Sequence, residues 1–90
     1  MLDIVLSNQF KKDLKLASKR GYDLQVLNDV VDRLAAGEVL PVKNRDHELS
    51  GSFAGFRECH IQPDWLLIYR IDNNELMLFL SRTGIHSDLF

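Results

Sequence analysis

The stretch from Phe56 to Arg70 constrains this chain more than any other. Two runs rich in β-branched and aromatic residues flank Gln62-Pro63-Asp64, and a Pro-Asp pair between such runs marks a turn joining two antiparallel strands. The spacing predicts strands over Phe56 to Ile61 and Trp65 to Ile71. His60, Asp64 and Trp65 crowd around that turn, placing an imidazole, a carboxylate and an indole where a rigid sheet can present them to a ligand.

The rest of the chain has to supply what this hairpin packs on. Met1 to Leu6 alternates weakly and predicts a short first strand. Ser7 or Asn8 caps the helix that follows. Its apolar stripe is Phe10, Leu14 and Ala17, joined by Leu16, and Gly21 ends it because glycine takes the left-handed conformation cheaply. Asp23 caps a second helix, in which Leu24, Leu27, Val30, Val31 and Leu34 recur at helical spacing until Gly37. The short connection predicts an antiparallel helical hairpin.

Glu38 to Ser50 has no sustained period and reads as a surface loop. Ser50 to Gly55 reads as a short edge strand or turn. After the Asp72–Glu75 turn, Leu76 to Ser81 predicts a further strand. Leu66–Ile71 and Leu76–Leu80 are apolar at nearly every position, as in strands covered on both faces. The tail from Arg82 to Phe90 is too polar for a strand interior. Helices first and strands together give one α+β domain over residues 1–90, two N-terminal helices on one twisted antiparallel sheet in the order β-α-α-β-β-β-β.

Ninety residues suffice for one core without staples. A single cysteine, Cys59, excludes an internal disulfide and fits a reducing compartment. With no basic-then-apolar leader and no long apolar run, a soluble cytoplasmic protein is expected. The net charge of −2, taken alone, argues against a nucleic-acid binder; its distribution argues less strongly, and net charge does not decide the matter. Lys11, Lys12, Lys15, Lys19 and Arg20 face only Asp13 in the same segment. They form either the solvated face of an amphipathic helix or a phosphate-contacting patch.

All three histidines, His47, His60 and His86, fall in or beside turn-rich segments, and none lies on a helix stripe. Imidazoles suit proton transfer near neutrality. Cleaving RNA without a metal requires a base to take the proton of a 2′-hydroxyl, an acid to protonate the leaving 5′-oxygen, and a cation for the crowded phosphate. His60 or His47 with Asp64, then His86, then Arg82 fill those roles, the arginine because its planar fork matches phosphate oxygens. A metal site from the same histidines and Asp64 is the chemical alternative, but no compact pair such as His-x3-His supports it. Cys59 points away from His60 by the strand period, as a core residue. Trp65 is either core or a platform for stacking a base. No phosphate-cradling glycine motif is present.

Two blocks carry a resemblance that spans the whole chain. One runs from His47 through Gly51-Ser52-Phe53, Gly55, Arg57 and His60 to Pro63-Asp64-Trp65, and the other is Arg82-Thr83-Gly84 with His86 and Leu89-Phe90. Together with the lysine-rich first helix they resemble the YafQ-type branch of the RelE/ParE toxin superfamily. The resemblance implies a metal-independent endoribonuclease without cofactors that cuts messenger RNA on the ribosome, binding messenger and ribosomal RNA. It implies silencing by a cognate antitoxin, and a toxin–antitoxin complex that binds operator DNA through the antitoxin. It implies site positions at His47, His60, Asp64, Trp65, Arg82, His86 and Phe90, with His86 as leading acid and Asp64 or His60 as leading base. The chain departs from the typically basic family in its mildly acidic balance. A non-catalytic relative that keeps only antitoxin or other target binding is the alternative, and ParE-type proteins share the scaffold without the histidine set.

Overall fold

The computed structural model describes all 90 residues. In chain order they form β1 (Asp3–Leu6), α1 (Asn8–Lys19), α2 (Leu24–Ala35), β2 (His47–Glu48), β3 (Arg57–Gln62), β4 (Trp65–Asp72), β5 (Met77–Gly84) and a terminal turn of helix, α3 (His86–Leu89). Short 3-10 turns at Val42–Asn44 and Gly51–Phe53 complete the chain. The helix boundaries follow the capping chemistry. Ser7 Oγ accepts from Phe10 N–H at 2.9 Å and Asp23 Oδ1 from Gln25 N–H at 3.0 Å, satisfying backbone donors that have no partner in the first turn.

The five strands lie in the order β1-β5-β4-β3-β2. β3, β4 and β5 form the expected antiparallel meander, but β1 pairs with β5 in parallel, so the sheet is mixed and not wholly antiparallel. The long path through both helices and the meander supplies the crossover that a parallel pair requires. Strand alternation says nothing about direction, so a sequence pattern cannot register this.

α1 packs on β5 and α2 on β3. Phe10, Leu27, Val31 and Leu34 meet Cys59, Trp65, Leu67 and Tyr69 there in the main core. A smaller cluster on the opposite face joins Leu66, Ile68 and Leu89, roofed by Leu49, Phe53 and Phe56. β4 is thus covered on both sides, as its unbroken apolar run predicts. β5 is not: Leu78 and Leu80 are buried while Met77 and Phe79 are half-exposed. On α1 the buried positions are Phe10, Asp13 and Ala17, and Leu16 stands off the stripe at 42 % exposure.

Two further expectations are corrected. The polar tail does not begin at Arg82, because β5 continues to Gly84 after a register shift that skips Ser81, pairing Ile68 with Arg82 and Tyr69 with Leu80. The 38–50 segment is no plain surface loop either. It buries Leu40 and Asn44 and supplies the edge strand β2, while residues 51–53 take the turn of the two alternatives read there. Asp46 holds it to the sheet, accepting from the Tyr69 hydroxyl at 2.6 Å and from Arg57 Nε at 3.2 Å.

Candidate functional site

The β3–β4 turn faces the start of α3 across a cleft of about 560 Å³ whose lining includes Tyr22, Glu58, His60, Asp64, Leu66 and His86. Three residues predicted from the sequence therefore meet there from two separate segments. His47 does not line the cleft but adjoins it. Its place on β2 is directly opposite Glu58, and its Nε2 lies 3.5 Å from Glu58 Oε1, while His60 Nε2 lies 4.0 Å from the same oxygen. The period of two puts Glu58 and His60 on one face of β3 and sends Cys59 into the core. Burial pushes the Cys59 thiol up to about 12, so at neutral pH it is no nucleophile.

The two imidazoles are oriented by carbonyls. His47 Nδ1 lies 2.7 Å from the Arg45 carbonyl oxygen, and His60 Nδ1 lies 3.2 Å from that of Pro63. A carbonyl only accepts, so each ring carries its proton on Nδ1 and turns Nε2 toward Glu58. Each Nε2 is then the nitrogen available for proton exchange. Asp64 is exposed, and its side chain makes no hydrogen bond or ion pair within the chain. No three His, Cys, Asp or Glu side chains converge as ligands of one metal ion.

His86 is exposed at the head of α3, its ring centroid 5.1 Å from that of Phe90. Phe90 is 53 % exposed and meets Phe53 edge-on at 5.6 Å. α3 is tied down by Asp88, which accepts from Ile85 N–H at 3.0 Å and from the Arg20 fork at 2.7 and 3.3 Å. Hydrogen bonding from Arg20 holds the Asp88 carboxyl below its ordinary range.

Other expected residues stand elsewhere. Trp65 is 2 % exposed, donates from Nε1 to Thr83 Oγ1 at 2.9 Å and packs against Tyr22 at 5.0 Å. It belongs to the core, and stacking on a base is corrected accordingly. Tyr22 is the aromatic that reaches the cleft. Arg82 does not line the cleft either. Its Nε and Nη2 donate to the Asp13 carboxylate at 2.9 and 3.3 Å, in an adjoining hollow. Lys11, Lys12, Lys15 and Lys19 are exposed and unpaired, whereas Arg20 is engaged by Asp88.

Sequence reasoning misses Asp13, Glu58 and Tyr22 as site residues. Asp13 carries a signal: it is the lone acid of a basic helix, three residues after Phe10, on the buried stripe. Its Oδ2 also accepts from Thr83 N–H at 3.1 Å, beyond the last pairing of β1 with β5, so the carboxylate continues an edge that β1 leaves. Glu58 carries one in its i, i+2 relation to His60 within a strand. Tyr22 carries none. Asp13→Asn keeps the shape and loses the charge-assisted bonds, and is expected to cost about 1.5–3 kcal/mol. An unchanged urea midpoint would show the network to be dispensable.

The family described as "Bacterial toxin of type II toxin-antitoxin system, YafQ" matches residues 2–90. The chain is 42 % identical over 89 residues to the mRNA interferase toxin YafQ of Escherichia coli K12, covering 98 % of this chain and 95 % of that protein. A metal-bound toxin from Helicobacter pylori superposes with a TM-score of 0.94 at 50 % identity over the whole of both chains. The E. coli DinJ–YafQ complex contains a chain with a TM-score of 0.91 at 41 % identity, covering 100 % of this chain and 99 % of that one.

Proposed function

The chain belongs to the YafQ family of bacterial type II toxins, and we propose that it is the endoribonuclease of such a pair, cutting messenger RNA on the ribosome without a metal. The ribonuclease class follows its E. coli relative, an mRNA interferase. The observation that carries the mechanism is the convergence of His60, Asp64 and His86 on one cleft. His60 Nε2 or Asp64 takes the proton of the 2′-hydroxyl, whose oxygen attacks the adjacent phosphorus. His86 protonates the departing 5′-oxygen. His47 and Glu58 complete a proton-holding group behind His60. Arg82, with Nε and Nη2 held by Asp13, retains Nη1 for the phosphate.

Transfer through the 2′-hydroxyl leaves a 2′,3′-cyclic phosphate or a 3′-phosphate and a 5′-hydroxyl, with no metal-bound water required. The test is end-mapping of cleaved message in the presence of a transition-metal chelator that spares magnesium. The expected result is undiminished cleavage with those termini. Cleavage lost on chelation and restored by copper or zinc would replace this mechanism with a metal-dependent one. Absence of any cleavage would leave a non-catalytic, target-binding toxin.

The partners follow from the same reading: a cognate antitoxin, as DinJ is for YafQ in E. coli, and operator DNA reached through that antitoxin. No helix is long and apolar enough to cross a membrane, and a cytoplasmic site of action goes with a ribosomal substrate. The exposed lysines of α1 are the surface for ribosomal RNA. Replacing Lys11, Lys12 and Lys15 by glutamine should weaken ribosome binding and flatten its salt dependence, by a log–log slope of roughly 0.9 for each phosphate no longer neutralised. Stability should move by no more than about 0.5 kcal/mol, these being surface positions. Unchanged ribosome affinity would make the patch a solvated face only.

A further inference from the structure

A phosphate backbone needs cations, and the cleft supplies none: its charged lining is Glu58 and Asp64, with no lysine or arginine. Arg20 is engaged by Asp88, and Arg82, held by Asp13 through Nε and Nη2 in the adjoining hollow, leaves only Nη1 for the scissile phosphate. A second hollow of about 540 Å³ lies on the other side of His60, with Lys43, Asn44, Arg45, Ile61 and Gln62 in its wall, and it shares His60 and Pro63 with the cleft. Lys43 and Arg45 are its only charged residues besides the imidazole, and neither takes part in an ion pair. We propose that this hollow is a subsite for the nucleotide flanking the scissile phosphate, with Lys43 and Arg45 holding its phosphate and Asn44, Gln62 and Pro63 forming the wall against which its sugar and base lie. The proposal rests on the RNA-cleaving reading and adds to it where the strand runs.

The two cations sit on a braced support, not on a loose loop. Asn44 is buried and donates from Nδ2 to the His60 carbonyl at 2.7 Å, and the Arg45 carbonyl accepts from His47 Nδ1 at 2.7 Å. The segment that carries the cations is therefore bonded to both histidines of the β2–β3 edge. Arg45 has φ of 46°, in the left-handed region that non-glycine residues avoid. The 3-10 turn fixes it there through Arg45 N–H to the Val42 carbonyl at 3.0 Å. Such strain persists where surrounding bonds over-determine the backbone, and it concentrates at ligand-binding segments. An RNA strand crossing His60 passes from the carboxylate-lined cleft to this cationic wall, so attraction for phosphate is placed beside the reacting bond and off the groups that move protons.

The test is cleavage of message on programmed ribosomes by Lys43→Gln/Arg45→Asn, asparagine being chosen because it tolerates the left-handed backbone. The expected result is KM raised about tenfold or more with kcat nearly unchanged, and a log–log salt slope flattened by about 1 per residue. Arg45→Lys, which keeps the charge, should recover most of the affinity. Lys43→Gln alone, which leaves the turn intact, gives the same answer at half the effect if the double variant folds poorly. KM and salt slope equal to the parent protein would overturn the subsite while leaving the nuclease standing. So would variants that lose only antitoxin binding, which would assign the hollow to a protein ligand. A parent protein that cuts no RNA would remove the nuclease reading and this subsite with it.

Discussion

His86→Ala is expected to lower the cleavage rate by about 10²–10⁴-fold while the protein still folds, binds antitoxin and binds ribosomes. In barrier height this is roughly 3–5 kcal/mol, far more than the substitution takes from stability. The imidazole is exposed and rests beside the Phe90 ring, itself half-exposed. α3 stays anchored without it, through buried Leu89 and through Asp88 bonded to Arg20. His86→Gln should be no more active, since an amide can donate a hydrogen bond but releases no proton at neutral pH. Near-full activity in the glutamine variant would demote His86 to substrate positioning. An unfolded alanine variant would move the acid role to His47 or His60.

The Asp88–Arg20 pair that anchors this arm also sets a pH limit. Its carboxyl titrates lower in the folded protein than in the unfolded chain, so its contribution is present above the ordinary carboxylate range and fades as pH falls through the lowered value. Acid, not base, is the direction in which the arm loosens.

Much of this arrangement is legible in the residues. Pro63-Asp64 between two β-rich runs fixes the hairpin, the stripe of Leu27, Val30, Val31 and Leu34 fixes α2, and Ser7 and Asp23 fix where the helices begin. Period-two alternation correctly separates Cys59 from His60. What fails to show is whatever depends on a distant partner. The length of β5 rests on Asp13, which lies 70 residues earlier in the chain from Thr83 and turns a polar segment into a satisfied strand end. The parallel edge rests on where β1 returns, which no local period records. Arg82 reads as a free cation until Asp13 is seen to hold it, and Glu58 reads as an ordinary strand acid until His47 is placed opposite it. Local chemistry marks the candidates, and the tertiary pairing decides which of them are available.

Trp65 is where that distinction is sharpest. As an indole beside a reactive turn it invites a stacking role, yet only 2 % of it is exposed, against Tyr22 and the main core. Trp65→Ala is therefore expected to cost about 3–5 kcal/mol, the range for emptying an aromatic site in a packed core. Part of the loss comes from Thr83. Its Oγ1 accepts from the indole and donates to the Leu66 carbonyl at 2.7 Å, while its backbone N–H is held by Asp13. Removing the indole thus loosens the strand end that carries Arg82 and leads into α3, and activity should fall with stability. Trp65→Phe separates the two explanations. It refills most of the volume and gives up one hydrogen bond, about 1 kcal/mol, so a core role predicts a modest shift in urea midpoint with cleavage nearly intact. A phenylalanine variant of parental stability that no longer cuts message, or an alanine variant that unfolds no more easily than the parent, would return Trp65 to the RNA.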